Sequence, residues 1–587
     1  MPIFPLGQSI PPDTAHAVSV SLPTWQSNIG YEEGQEWVMS RLTTGYPRFF
    51  IHRSIDAFAC DIAAAHHIPG RRAILFPNSA AAQRCLDYVV KNAPSKLVSD
   101  LDLVHLVLNS SAPASVLLQK LAPTVSAVML PHDAFPFAKE YWQHTGDGIS
   151  SRRAEFCHDL YAHHFLVAAH VAASDSLVEE RPSRGPKRYQ QRPPGSSPPT
   201  TASSPPTTIE AIESCRFLEE RFGRNLDLTM TERARSALRR RIAGSLTGNL
   251  PCQQTASHSL DESHVYLFPA GMNAIFNTHR ALLSARGPLP SISFGFPYVD
   301  SLKILQKFGP GCIFYGHSSS SDLDNLELRL RAGERYLALF CEFPGNPLLL
   351  SPDLDRIRNL ADEFDFAVVV DETIGTFANV NVLPVADIVV SSLTKIFSGD
   401  SNVMGGCAIL NPDSKYYDSL KTAMESGVFE DAYWPEDLVF LERNSRDFID
   451  RIGRINTNAE AICHVLNGHP LVKDIYYPKY SSSRHHYDAR RLPNGGYGGL
   501  LSIVFKHKKQ AQVFYDAMES AKGPSLGTNF TLCSPYALLA HYRELPWAAQ
   551  YGVDPDLVRV SVGLEDSEML QAMFRKALAV AEAIEVT

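Results

Sequence analysis

The sequence predicts an α/β fold, with a large domain built on a mostly parallel sheet between two helical layers and a smaller α+β domain after it. Two observations carry this. From residue 265 to residue 410, short apolar runs alternate with stretches whose apolar residues recur at helical spacing. After residue 430 the pattern changes to a long helical stretch, then GLLSIVF (499–505), a helix and VRVSVG (558–563). Strands that are apolar throughout belong to a sheet covered on both faces, since both rows of side chains must leave water.

The runs, in order, are VYLFP (265–269), SISFGF (291–296), CIFYG (312–316), YLALFCE (336–342), FAVVV (366–370), ADIVVSS (386–392) and GGCAIL (405–410). Leu354, Ile357, Leu360, Ala361 and Phe364 mark one of the intervening helices. Ligands of such sheets bind at the carboxyl ends of the strands, so chemistry is expected there.

A chain of 587 residues exceeds one compact core. Its organisation reads as an N-terminal arm (1–56), an N-terminal α/β region (57–177), a disordered linker (178–208), the large domain (209–430) and the C-terminal small domain (431–587). In the linker, proline, serine and threonine replace nearly all core-forming residues, so the segment cannot bury enough apolar surface to offset chain entropy. A docking site for a proline-reading partner is the alternative there.

Composition excludes several classes. No apolar run reaches the roughly 18 residues that cross a bilayer, and MPIFPLGQSIPPDT lacks the order of a secretory signal. A net charge of −9 offers no basic face for nucleic acid. The ten cysteines lie singly, without the paired spacings of a zinc or disulfide framework. No metal is expected, and a reducing cytoplasm is the expected location.

Lys395 follows a strand directly in VVSSLTKIFSGDSNVMGG, among hydroxyl residues and glycines suited to an anion. Alone it reads as a surface charge. Asp371 closes FAVVV about two dozen residues earlier, and a carboxylate at a strand's carboxyl end can pair with a protonated pyridine nitrogen. A helix N-cap is the competing role. Ala270-Gly271-Met272 opens a helix after VYLFP, leaving free N–H groups for a phosphate.

In that order the sequence resembles the Cys/Met-metabolism family of pyridoxal-phosphate (PLP) enzymes, with the aspartate-aminotransferase-like fold, fold type I. Ser392-Leu393-Thr394-Lys395 matches the family's context for the lysine that carries PLP, and Asp371-Glu372-Thr373 its context for the ring-nitrogen carboxylate. The resemblance implies catalytic roles for Lys395, Tyr298 and Asp371. It implies a cofactor site of Gly271, Met272, Tyr298 as the stacking ring, Asn346, Asp371, Thr373, Ser392, Thr394 and Lys395. Arg559 and Ser525 match the site for a substrate α-carboxylate, which arginine can clamp in two-pronged fashion. Tyr46 and Arg48, in TGYPRFF, match a tyrosine and an arginine that reach the phosphate of a neighbouring subunit, so a homodimer or homotetramer with shared active sites is implied.

SVSLPTW, GYEEGQEWV, TGYPRFFIH and YWQHTGDGISSRRAEF are most similar to the fungal cystathionine γ-synthase type within the family. The implied reaction is γ-replacement on an O-acylated homoserine by cysteine, in trans-sulfuration and methionine biosynthesis. A carbon nucleophile, sulfide, or γ- or β-elimination would use the same residues, and a catalytically silent PLP-fold partner is the non-enzyme alternative. Gly399-Asp400-Ser401-Asn402 stands where many members have Gly-His-Ser-Asp, and Asp371-Glu372-Thr373 where many have Asp-Asn-Thr, which puts substrate choice in question. His144, Arg152 and Arg153 are expected in helix-cap and surface roles.

Overall fold

The computed structural model describes residues 4–47, 49–66, 70–98, 100–109, 116–171, 228–247 and 260–584. The linker at 178–208 and Arg48 lie outside the described residues. The chain divides into two compact units. One comprises Met1–Asp56, Lys139–Arg152 and Arg233–Thr587, the other Ala57–Ala138 and Arg153–Glu232.

The second unit holds a four-stranded antiparallel sheet in the order β1-β3-β2-β4, from β1 (Arg71–Phe76), β2 (Asp102–Leu108), β3 (Val125–Pro131) and β4 (Leu166–Ala168). Within it Arg153, read as a surface residue, is instead buried and donates to the carbonyls of Pro77 and Thr124, each at 2.7 Å.

The first unit contains both predicted sheets. All seven apolar runs form strands: β5 (Val265–Phe268), β6 (Ser291–Phe294), β7 (Cys312–Tyr315), β8 (Ala338–Glu342), β9 (Ala367–Asp371), β10 (Ile388–Ser391) and β11 (Gly406–Leu410). Their spatial order is β5-β11-β10-β9-β8-β6-β7, parallel from β7 to β10 and antiparallel on either side of β11. Alternate residues enter two separate cores. Val265, Leu267, Val368, Val370 and Val389 face one, and Tyr266, Phe268, Ala367, Val369 and Val390 the other. A run alternating with polar residues would have left one core unbuilt. The helix Leu354–Phe364 packs Ile357 and Leu360 into the first core, while Gly271–Arg286 packs Ile275, Phe276 and Leu282 into the second.

The smaller sheet runs β12-β13-β16-β15-β14, from β12 (Val472–Tyr476), β13 (Leu500–Phe505), β14 (Ala521–Lys522), β15 (Leu532–Pro535) and β16 (Val558–Ser561). All its pairs are antiparallel except β14 with β15. Phe505, Phe514 and Phe574 stack it against the helices Lys508–Ala517 and Ser567–Glu582.

The N-terminal arm docks on this sheet. Leu22 N–H donates to the Lys522 carbonyl at 2.9 Å, Tyr515 Oη to the Leu22 carbonyl at 2.7 Å and Trp25 N–H to Asp516 at 2.7 Å. Ile10 is buried against Ala521 and Leu532, and Val20, Leu22, Val38 and Leu42 against Leu539. Thr24 and Ser27 form a capping box that starts the helix Trp25–Glu32 and fixes the direction in which the arm continues. Among the described residues, no helix is long and apolar enough to cross a membrane.

Candidate active site

Because β8, β9 and β10 are parallel, their carboxyl ends open at one edge of the sheet, and the residues that close them surround a cavity of 210 Å³. Glu342 closes β8, Asp371 closes β9 in register with it, and Ser392, Thr394 and Lys395 follow β10. The amino end of the helix Gly271–Arg286, placed by β5, lines the same cavity with Ala270, Gly271 and Met272.

Lys395 is 8% exposed, and its Nζ donates to Tyr46 Oη at 2.9 Å, 4.6 Å from that ring's centre. Asp371 faces the cavity. Its Oδ1 accepts from the Thr373 amide at 2.9 Å and the Thr373 hydroxyl at 2.6 Å. Thr373 Oγ1 in turn accepts from the Ser392 amide at 2.8 Å, so one threonine ties the carboxylate strand to the lysine loop. Burial raises the Asp371 pKa above the usual carboxylate range, although Thr373 pulls it the other way. A cation at that carboxylate, such as a protonated pyridine nitrogen, would offset the cost of burying its charge.

Gly271 is needed for a close approach, because a Cβ there would lie 2.7 Å from the Ser392 Cβ. Gly406 of β11 is similarly constrained, its added Cβ falling 2.4 Å from the Ala270 carbonyl oxygen. Ser392 therefore sits directly over the bare helix start. Thr394, expected to donate to a phosphate, is instead engaged with Gly405, accepting from its N–H at 3.0 Å and donating to its carbonyl at 3.2 Å.

Arg559 on β16 is buried. Its Nη1 donates to Asn346 Oδ1 at 3.2 Å and its Nη2 to the Ser525 carbonyl at 2.9 Å. Burial lowers its pKa from the usual arginine value. Ser525, expected to line the carboxylate site, reaches Arg559 through its backbone, while its neighbours Pro524 and Leu526 face the cavity. Tyr298 caps the helix Val299–Lys307 and lines the cavity, its N–H donating to Glu342 at 2.5 Å.

Three contributions went unread in the sequence. The first is Glu342, whose carboxylate holds Tyr298 and also accepts from the Asn346 N–H at 3.1 Å. Burial and the neighbouring Asp371 push its pKa up to about 8. It ends YLALFCE as Asp371 follows FAVVV, a signal that was present. The second is Tyr536, whose Oη accepts from Asn346 Nδ2 at 3.1 Å and whose ring lies 4.5 Å from the Arg559 guanidinium. The third is the segment Lys139–Arg152, which supplies Trp142, Gln143 and Gly146 through Arg152, apart from Asp147, as cavity wall or its support. His144 and Arg152 are buried rather than at the surface: His144 Nδ1 lies 3.0 Å from Asp300 Oδ1, and Arg152 Nη1 donates to Asp437 at 3.0 Å.

Tyr46 meets Lys395 of its own chain. Of the Gly399–Asn402 departure, Asn402 lines the cavity, whereas Asp400 turns to accept from Asn529 Nδ2 at 2.7 Å.

Glu372 is fully buried, and neither of its carboxylate oxygens has a hydrogen-bond partner among the described residues. Burial and Asp371 hold its pKa well above the usual value. The folded chain therefore keeps a proton that the unfolded chain releases above about pH 4.5. This contribution to stability is complete below that value and is lost as pH rises through the folded pKa, at about 1.4 kcal/mol per unit. Asp371 and Glu342 shift in the same sense. Urea unfolding of the cofactor-free chain between about pH 5 and about pH 9 is expected to show falling stability, with a shallower slope for Glu372→Gln. Equal slopes would contradict the assignment.

A buried amine, a carboxylate lining the same cavity and a bare helix start, all at the carboxyl ends of a mainly parallel sheet, define the class: a PLP-dependent enzyme of fold type I. These groups fit the cofactor, since an aldehyde, a pyridine nitrogen and a phosphate each find the functional group they require. The chain belongs to the Cys/Met metabolism family of PLP-dependent enzymes, which residues 254–579 match, and residues 54–150 match the fungal trans-sulfuration enzyme N-terminal domain. It is 58% identical to cystathionine gamma-synthase of Neurospora crassa, over 99% of each chain. It is 37% identical to cystathionine gamma-synthase of Saccharomyces cerevisiae, over 98% of each. With the cystathionine gamma-synthase-like enzyme iboG2 of Amanita muscaria it shares 39% identity, over 99% of this chain and 97% of the relative.

Proposed function

We propose that the chain exchanges the γ-acyloxy group of an O-acylated homoserine for the sulfur of cysteine, forming cystathionine. The observation that carries this is the convergence on one cavity of the Lys395 amine, the Asp371 carboxylate and the Arg559 guanidinium. The two fungal relatives named cystathionine gamma-synthase, matched over nearly their whole lengths, support the choice of reaction.

PLP supplies an electron sink that makes the substrate's Cα proton acidic. Gly271, Met272 and Ser392 would hold its phosphate at the helix start, Tyr298 would stack on its ring, Asn346 would lie by its phenolic oxygen and Asp371 would pair with its ring nitrogen. Thr373 keeps the Asp371 carboxylate oriented for that pairing. Arg559 takes the substrate α-carboxylate. Its contacts to Asn346 and the Ser525 carbonyl fix the plane of the fork, which pre-organises it. Lys395 Nζ moves the Cα proton, and Tyr46 Oη holds that amine in position. Overall the Cγ–O bond breaks, the acyl group leaves as a carboxylate, and a Cγ–S bond forms as the thiol gives up its proton. We place this reaction in the cytoplasm, in methionine biosynthesis.

The test is to incubate the PLP-loaded protein with O-acetyl- or O-succinylhomoserine, with and without cysteine, and identify the products by mass. Cystathionine appearing only with cysteine is the expected result. Ketobutyrate and ammonia in its place would make the enzyme a lyase, and no reaction with either ester would overturn the substrate class.

A further inference from the structure

We infer that Arg451 is a positioning residue for Lys395. Its guanidinium clamps the backbone of the loop that follows the lysine and, through Asn444 and Asn529, the two side chains by which that loop departs from the pattern of many family members. This rests on the reading of Lys395 as the cofactor lysine.

Arg451 lies near the amino end of the helix Phe448–Leu466, where a cation opposes the helix dipole. It is buried, and a buried guanidinium is costly unless its donors are satisfied. All five are. Nη1 donates to the Ile396 carbonyl at 3.0 Å and to Asn529 Oδ1 at 2.7 Å. Nη2 donates to the carbonyls of Phe397 and Asn444, each at 2.9 Å, and Nε to Asp447 at 2.8 Å. Two of the five acceptors are therefore the carbonyls of the residues directly after Lys395. Gly399 has a φ of +75°, and a Cβ on it would stand 2.2 Å from Arg451 Nη1 and 2.2 Å from Asn529 Oδ1, so the loop crosses the guanidinium at a distance that only glycine allows.

The same cation sets both departing side chains. Asn529, whose Oδ1 it holds, donates from Nδ2 to Asp400 at 2.7 Å and from its backbone N–H to the Gly399 carbonyl at 2.8 Å. Asn444, whose carbonyl it holds, donates from Nδ2 to Asn402 Oδ1 at 2.8 Å and to Ser398 Oγ at 3.1 Å. Asp400 and Asn402 are thus the loop's half of two contacts built on Arg451, and Asn402 lines the cavity. Arg451 itself is not among the residues that line it. Lys395 Nζ has to hold the cofactor and also move the Cα proton, and a displacement of about 1 Å at a reacting group can cost about 10²-fold in rate. Fixing the backbone at 396 and 397 fixes where that amine starts from, so Arg451 acts on the rate without touching substrate.

The experiment compares Arg451→Lys, which keeps the charge and loses the fork, with Asp447→Ala, which removes the Nε contact alone. Loaded with PLP, Arg451→Lys is expected to lower kcat by about tenfold or more, with KM within about twofold of wild type. In the cofactor-free chain, the Ser398 and Gly399 amides donate to the Leu393 and Lys395 carbonyls at 3.1 and 2.8 Å. Their hydrogen exchange is expected to quicken by about tenfold or more in Arg451→Lys, while the amides of β16 keep their rates. Asp447→Ala is expected to match wild type in both measurements. Wild-type kcat and loop exchange in Arg451→Lys would overturn the proposal, as would exchange quickened equally in β16, or the same losses in Asp447→Ala. Should Arg451→Lys not fold, Asn529→Ala decides, because it withdraws one acceptor and the tie to Asp400 while leaving the guanidinium in place. The same pattern at about threefold would support the proposal, and wild-type values would overturn it. Absence of a visible band in the PLP-loaded wild type would instead overturn the underlying reading of Lys395, which the exchange measurement, made without cofactor, does not depend on.

Discussion

Lys395→Ala is expected to lower kcat/KM by about four orders of magnitude and to abolish the visible band of the bound cofactor, with the far-ultraviolet circular dichroism unchanged. The size of the effect follows from the surroundings of the amine. Lys395 is the one lysine among the described residues that line the cavity, so no second primary amine stands by to replace it. Its side chain reaches past the lysine loop to Tyr46, and removing it leaves the strand pairing of β9, β10 and β11 untouched. An activity loss under tenfold, with the band retained, would mean that another residue carries the cofactor.

Arg559→Lys is expected to reduce kcat/KM by about 10²-fold, mostly through KM, because a charge remains but the planar fork is lost. The guanidinium makes one hydrogen bond to Asn346 and another to the Ser525 carbonyl, and these set its orientation before any substrate arrives. A lysine ammonium cannot keep both bonds and still present two parallel N–H groups. The loss should be smaller for a substrate analogue that lacks the α-carboxylate, which separates carboxylate binding from a general disturbance of β16. Equal losses for both would assign Arg559 a structural role.

The large sheet was legible because both of its faces are buried, which turns every strand into an uninterrupted apolar run. FAVVV and ADIVVSS could be read without knowing their neighbours. That GGCAIL would pair antiparallel between β5 and β10 was not legible, since direction leaves no trace in a short apolar run. In the small sheet, β14 has only two residues and β12 exposes Lys473 and Asp474, so neither produced a run to recognise. At the site, Asp371 and Lys395 could be found from their places at strand ends. Glu342 occupied the same kind of place and was passed over, because a carboxylate that orders backbone N–H groups has no motif of its own. His144 and Arg152 looked like surface residues because their partners, Asp300 and Asp437, lie 156 and 285 residues away in sequence.

The central claim is that the amine at position 395 carries the cofactor. The most direct measurement is borohydride reduction of the PLP-loaded protein, followed by proteolysis and mass spectrometry of the modified peptide. The account predicts a pyridoxyl phosphate group on the Lys395 peptide at close to one per chain; modification of a different lysine, or none, would contradict it.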